Sequence, residues 1–414
     1  MNRRSVVVTG LGLVTAIGQD LETVWRRVLA GEGGIAPLKS FEVAGNKVTN
    51  GAEVDIEELH ERLKQRGIRP KDRSQNYALE AAGQALTQAG LLGEDLAKLT
   101  PQPIATILGS GVGPTDTTYK TMLRYRELGA KGMRPSTVPS VMANSLSAGV
   151  SLQYRLTGTN QVIVSACTSA TNAIGNGFRM IRDGYIDAVV CGGSDAFFDP
   201  LHYGVWNNLG VMSTIEDPAR AYRPFDKDRQ GCLLGEGAGV MVLEERERAV
   251  ARGAQILAEL PGYGDSGDAC HVTTPDVAGQ ARAIRGALAC AGVEPEAIDY
   301  INAHGTATIA NDRCESASIR EVFGEHTDRV PVSSLKPFFG HLLGASGAVE
   351  SIVTVLALRN QTLPPNLNLD NPDPECRVRL VGAEPQPAKL ECVMKNSFGF
   401  GGGNGVLVFR QAGS

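Results

Sequence analysis

The chain has 414 residues, 42% hydrophobic and 5% aromatic, with 49 glycines and a formal net charge of −5. That length allows two domains or one large α/β unit, and the composition is that of a tightly packed protein with many corners. The acidic balance gives no support to non-specific nucleic-acid binding, and no run is long and apolar enough to span a membrane.

In chain order, strand-like apolar runs fall near 5–9, 104–109, 161–166, 187–192 and 238–243, with helical periodicity near 20–30, 74–90, 141–157 and 168–183. The pattern restarts with a strand near 255–260, a helix near 277–291, a strand near 298–303 and a helix near 311–323. A strand near 329–333, a helix near 344–360 and strands near 391–396 and 405–410 complete it. Alternating β and α segments predict mainly parallel sheets covered by helices. We read a duplicated α/β fold, with residues 1–254 as the first half and 255–414 as the second. The run after Met1-Asn-Arg-Arg4 is too short for a signal-peptide core. The eight cysteines (Cys167, Cys191, Cys232, Cys270, Cys290, Cys314, Cys376 and Cys392) contain no Cys-x-x-Cys pair, which predicts reduced thiols and a cytoplasmic protein.

Four segments carry chemistry. In Val162-Ile-Val-Ser-Ala-Cys-Thr-Ser-Ala170 a strand runs into Cys167 just before a helix. The free N–H groups and positive dipole end of that helix favour thiolate, the form that attacks carbonyl carbon. His304, in Asp299-Tyr-Ile-Asn-Ala-His-Gly-Thr-Ala-Thr308, and His341, in the Lys336-to-Glu350 segment, both follow strand-like runs at glycine corners, where α/β sheets build their sites. Cys167 and His304 stand at comparable strand ends of the two halves. The run Asn396-Ser-Phe-Gly-Phe-Gly-Gly-Gly-Asn-Gly405 is too glycine-dense for a packed strand and offers backbone N–H groups to an anion. No Gly-Lys-Ser/Thr follows it, so a nucleotide phosphate loop is rejected.

Together these motifs resemble the β-ketoacyl-acyl carrier protein synthases, the decarboxylating condensing enzymes of the thiolase-like superfamily. The likeness extends from Val6-Val-Val-Thr-Gly10 to Asn404-Gly-Val-Leu-Val-Phe409 and includes Tyr222-Arg-Pro-Phe-Asp-Lys-Asp-Arg-Gln-Gly231. It implies the five-layer α-β-α-β-α architecture with two mainly parallel sheets, and a homodimer or a pairing with a related ketosynthase-like subunit. It implies condensation of a Cys167-bound acyl group with malonyl-acyl carrier protein, assisted by His304 and His341. By the same resemblance Lys336 pairs with Glu315, near Asp312, to tune the field at the histidines. Phe400 serves the oxyanion hole and gates the acyl pocket. Thr306, Thr308 and Phe398 line the substrate path, and Val112 the far end of the acyl pocket. The carrier protein is an acidic partner, and Arg69, Lys71, Arg73, Lys120 and Arg124 are its expected docking residues. No metal or cofactor is expected, because phosphopantetheine arrives on the carrier.

Pro337-Phe338-Phe339, Ala170, Gly403 and the segment Trp206 to Ser213 depart from the fatty-acid pattern. They point to an unusual acyl chain or partner and keep open a type II polyketide or polyene elongating subunit. Cys167 speaks against a non-catalytic partner subunit. The absence of a second cysteine in the glycine loop speaks against a degradative thiolase, and His341 against a synthase that starts chains from coenzyme A esters.

Overall fold

The computed structural model describes residues 3–43, 45–92 and 102–413. Ten strands carry the architecture. They are β1 (Val6–Val14), β2 (Ala105–Gly109), β3 (Asn160–Ile163), β4 (Ala188–Asp195) and β5 (Gly237–Glu245), then β6 (Ala258–Gly267), β7 (Tyr300–Asn302), β8 (Pro331–Ser333), β9 (Cys392–Gly399) and β10 (Gly403–Arg410). The first five lie in the order β3-β2-β4-β5-β1 and the second five in the order β8-β7-β9-β10-β6, the same order shifted by five. The fold is therefore duplicated, as the restart of the sequence pattern predicts. In each half the two pairings of the second strand are parallel and the two pairings of the fifth strand antiparallel, so the sheets are mixed rather than mainly parallel. Val7 and Val8 of β1 pair with Glu259 and Ala258 of β6, joining the halves into one continuous sheet.

Side chains alternate between the two faces of a strand, and here the alternation fills three cores. Val190, Val240 and Val242 join an outer core with α1 (Arg73–Gln88) and α3 (Ser145–Tyr154). Val406, Val408 and Met394 join the other outer core with α6 (Val277–Ala291) and α7 (Ile309–Phe323). Between them Val189, Cys191, Met241, Leu243, Leu407 and Phe409 pack on α4 (Ser169–Arg182) and α8 (Ser346–Asn360). This is the five-layer α-β-α-β-α arrangement. α8 is buried on nearly all faces, as its apolar circumference requires of a helix between two sheets.

The two central helices fix where chemistry can happen. α4 follows β3 and α8 follows β8, so Cys167 and His341 occupy equivalent positions between the third strand and the central helix of each half. His304, after the second strand, corresponds instead to the Ser110–Gly113 turn, which corrects the expected equivalence of Cys167 and His304. All eight cysteines are free. Among the described residues no helix is long and apolar enough to cross a membrane.

Candidate active site

Cys167 sits in a turn, Ala166–Thr168, that feeds α4. Its neighbour Ala166 has φ +51°, a left-handed conformation that costs an L-residue energy. Cys167 Sγ lies 3.1 Å from His341 Nε2, and His341 Nδ1 lies 3.0 Å from Ser346 Oγ, which also accepts from the Leu342 N–H at 2.9 Å. Because a hydroxyl both donates and accepts, Ser346 accommodates either imidazole tautomer. The His304 ring stands edge-on to His341 with centroids 5.4 Å apart, and its Nδ1 is buried without a hydrogen-bond partner. The Cys167 sulfur and ring nitrogens of His304 and His341 fall within 4.8 Å of one another.

Electrostatics here differ from the expectation of a resting thiolate. Burial pushes the Cys167 thiol up to about 11, although the Lys336 charge and the Phe400 backbone N–H pull it down. Burial likewise drives both imidazoles well below their ordinary value, with the Lys336 and Lys395 charges acting in the same direction. The resting site thus holds a thiol and two neutral histidines.

Lys336 does not pair with Glu315. Its Nζ donates to Glu350 Oε1 at 2.7 Å, and the Lys395 Nζ is 2.9 Å from Glu350 Oε2, all three groups being buried. Glu315 instead accepts from the His304 and Gly305 backbone N–H groups, both at 2.8 Å, and from Asn396 Nδ2 at 3.2 Å. It fixes the histidine turn through the main chain. Asp312 accepts from the Phe225 and Ala307 N–H groups and faces Arg229, while burial pushes its carboxyl up to about 6. The turn itself needs Gly305: its φ is +41°, and a Cβ would come within 2.6 Å of the Ser334 Cβ.

A cavity of about 290 Å³ opens over these groups. Its lining mixes polar groups, Thr306, Thr308, Asn311, Asp268, Thr273 and Thr274, with the apolar Trp206, Val211, Cys232, Phe398 and Phe400. Thr306 and Thr308 share a hydroxyl bond of 2.8 Å, and Phe398 meets His304 edge-on with centroids 6.0 Å apart. Phe400 is 37% exposed and stacks on Trp206, centroids 6.1 Å apart and planes inclined by 12°. Gly401 (φ +82°) and Gly402 (φ +74°) hold its loop in a conformation other residues resist.

Solved structures similar to this chain share its whole architecture. The ishigamide ketosynthase/chain length factor superposes with a TM-score of 0.90 at 35% identity, covering 99% of this chain and 100% of that one. A type II PKS acyl-carrier protein in complex with its ketosynthase bound to the hexaketide matches with a TM-score of 0.91 at 29% identity over 99% of this chain and 100% of that one. Residues 3–249 match the beta-ketoacyl synthase N-terminal domain and residues 257–370 the C-terminal domain of the same family. The chain belongs to the beta-ketoacyl synthases. Relatives in this family include the 3-oxoacyl-[acyl-carrier-protein] synthase 2 of Coxiella burnetii, 40% identical over 99% of both chains, and that of a Synechocystis species, 38% identical over 99% of both.

Within this synthase fold, some expected residues stand elsewhere. Val112 does not line the cavity; it is 37% exposed, and its N–H points to Asp195 Oδ1 at 3.4 Å. Arg73, expected at the docking surface, instead turns inward: its guanidinium is largely buried against Glu236 and donates to the Phe198 carbonyl at 3.2 Å. Arg69, Lys71, Lys120 and Arg124 are exposed, Lys120 bonding Asp116 at 2.8 Å. Of the departures from the fatty-acid pattern, Trp206 and Val211 line the cavity, whereas Phe338 and Phe339 are buried in the central core. Sequence reasoning missed Glu350 and Lys395. A lone acid inside an apolar helix and a lone base inside an apolar strand are the signal that was available, since such charges are buried only when paired.

Proposed function

We propose that the protein catalyses the decarboxylative Claisen condensation of a Cys167-bound acyl group with malonyl-acyl carrier protein, the elongation step of fatty-acid synthesis. The observation that carries this reading is one thiol meeting two neutral imidazoles at a cavity lined by both polar and apolar side chains. A thiol pushed up to about 11 attacks only if its proton leaves as it attacks, and His341 Nε2 is within reach at 3.1 Å. The acyl carbon moves to sulfur, and the departing carrier thiolate takes that proton. Malonyl then loses carbon dioxide, and negative charge develops on its thioester oxygen. N–H bonds from His304 and His341 stabilise this enolate with no net proton transfer, and the enolate carbon displaces the Cys167 sulfur. The backbone N–H groups of Cys167 and Phe400 serve as the oxyanion hole for both acyl transfers, with Phe400 as the gate.

Lys336 and Glu350 act at a distance, through the field at the imidazoles, while Glu315 and Asp312 hold the His304 turn. Thr306 and Thr308 offer hydroxyls to the amides of the phosphopantetheine arm, beside Phe398. The group arrives on the carrier, so the protein needs no metal or cofactor of its own. Arg69, Lys71, Lys120 and Arg124 are the exposed cations offered to an acidic carrier protein in the cytoplasm. The half-exposed edge strand β3, with Met122, Leu123, Tyr125 and Leu128 exposed on α2 (Thr115–Leu128), supports pairing with a second copy or a related subunit. Sedimentation of the purified chain distinguishes these assemblies.

A type II polyketide or polyene elongating subunit is the second reading, favoured by the ishigamide ketosynthase relative and by the Trp206 wall of the cavity. Incubation with panels of acyl- and malonyl-carrier proteins, followed by intact-mass analysis of acyl-Cys167 and products, tests both. Condensation of saturated chains supports the first and preference for unsaturated or keto chains the second. No acyl-Cys167 with any carrier overturns them together.

A further inference from the structure

Strand β9, the central strand of the second half, carries Phe398 and runs directly into the Phe400 turn, and Lys395 is its one buried cation. Its Nζ approaches Glu350 Oε2 at 2.9 Å while Lys336 holds Oε1 at 2.7 Å, so two ammonium groups share one buried carboxylate. The Lys395 Nζ also donates to the Asn396 carbonyl, and Asn396 Nδ2 reaches Glu315 Oε1 at 3.2 Å. Glu315 in turn holds the backbone of His304 and Gly305.

We propose that Lys395 is a positioning residue for the condensation, coupling the strand that carries the Phe398–Phe400 loop to both histidine turns through Glu350 and Glu315. The proposal rests on the condensing function above. One lysine already neutralises Glu350, and a second buried ammonium carries a desolvation cost that its packing alone does not explain. Burial draws Lys395 down to about 8 despite the attraction of Glu350 and Glu315, and the Lys336 charge adds to that fall. Its own charge bears on His304 and His341, both of which sit well below their ordinary value. The groups facing Lys395 are thus Glu350, Lys336, Glu315 and the two imidazoles. Burial is the main cause of the neutral imidazoles; Lys395 adds its charge in the same direction and holds the loop beside them.

The test compares the unaltered full chain with Lys395→Met and Lys395→Arg, using malonyl-carrier protein as the probe. Lys395→Met should lose about tenfold in decarboxylation kcat at neutral pH, the equivalent of about 1.4 kcal/mol of barrier. Single-turnover acylation of Cys167 should stay within about twofold, and NMR titration should find both imidazoles protonating at higher pH. Lys395→Arg should restore most of the rate. Unmoved imidazole titrations, or acylation and decarboxylation falling together with Tm, overturn the proposal. Should Lys395→Met fail to fold, the unaltered protein labelled at lysine Cε decides. A lysine signal absent from Lys395→Arg must titrate below the surface lysines and move both imidazole signals with it; imidazoles that ignore it overturn the proposal. An unaltered protein that fails to decarboxylate malonyl-carrier protein sinks the condensing function instead, while the imidazole titrations still judge Lys395.

Discussion

The two halves share one strand order and one place for reactive side chains, yet they prepare those places in opposite ways. In the first half, the turn before α4 presents Cys167 among apolar neighbours, with Asp195 the buried acid near it. Asp195 accepts from Ser110 Oγ and the Gly111 N–H and forms no ion pair among the described residues, and burial pushes its carboxyl up to about 6. In the second half, the turn before α8 stands over Lys336, Glu350, Lys395 and Glu315, a set of two cations and two carboxyl groups. A duplicated scaffold thus supplies a nucleophile from one copy and its electrostatic setting from the other. Substitutions should separate the two.

The sharpest break is at the nucleophile. Cys167→Ala should abolish self-acylation and condensation, a loss of at least roughly 10³-fold, because the acyl group has no other acceptor. Cys167→Gln should retain malonyl decarboxylation, since the second half is untouched. Intact mass and carbon dioxide release report the two activities, and a condensing Cys167→Ala protein would end the assignment.

Next come the histidines, which the geometry does not treat alike. His304→Ala should lose decarboxylation by about 10²–10³-fold, the usual cost of one oxyanion donor, with single-turnover acylation retained within a few-fold. His341→Ala should lose both steps, because His341 Nε2 also touches Cys167 Sγ. Equal losses of both steps in His304→Ala would remove its distinct role.

The buried carboxylates test the comparison through stability. Glu350→Gln leaves two ammonium groups without their shared anion and should cost about 3–5 kcal/mol in denaturant unfolding. Asp195 behaves in the reverse sense. Its carboxyl is raised from 3.8 to about 6, so the folded state binds a proton that the unfolded state releases across that window. Its cost is absent below about pH 4 and grows as pH rises through 6. Asp195→Asn should therefore gain relative to the unaltered protein by up to roughly 3 kcal/mol between pH 4 and 7. A pH-independent difference would mean that Asp195 is charged throughout.

Most of this architecture was legible because periodicity reports burial. Most strands and both central helices bury at least one face, and most expected ranges match those observed within a few residues. However, β1 and β6 run on well past the expected ends at 9 and 260, and the edge strand β3 buries none of its residues. The helix α2 escaped notice because of its residues only Thr115 is buried, leaving no apolar stripe to read. The helix α5 (Pro200–Leu209) had a signal that went unused: Asp199 caps it and Pro200 starts it. Cys167, His304 and His341 were readable as motifs at strand ends. The Lys336 partner was not, because Glu350 lies fourteen residues on, in the helix packed between the sheets. Which of several acids a buried lysine meets is decided by packing that no local pattern encodes.

The smallest expected effect lies at the surface, where Arg69 and Lys71 remain exposed but Arg73 turns inward. Reversing Arg69 and Lys71 together should raise KM for acyl-carrier protein severalfold and flatten its salt dependence, since exposed charges act mainly through long-range, screened attraction. Acylation from a small pantetheine thioester should stay unchanged, because that substrate bypasses docking. Arg73→Glu should behave differently: it sets a second acid against buried Glu236, whose carboxyl burial already pushes up to about 7. Its penalty should appear as a lower Tm and as equal losses with both substrates. If Arg73→Glu instead spares the small thioester and selectively raises KM for the carrier, the inward guanidinium is a docking residue after all.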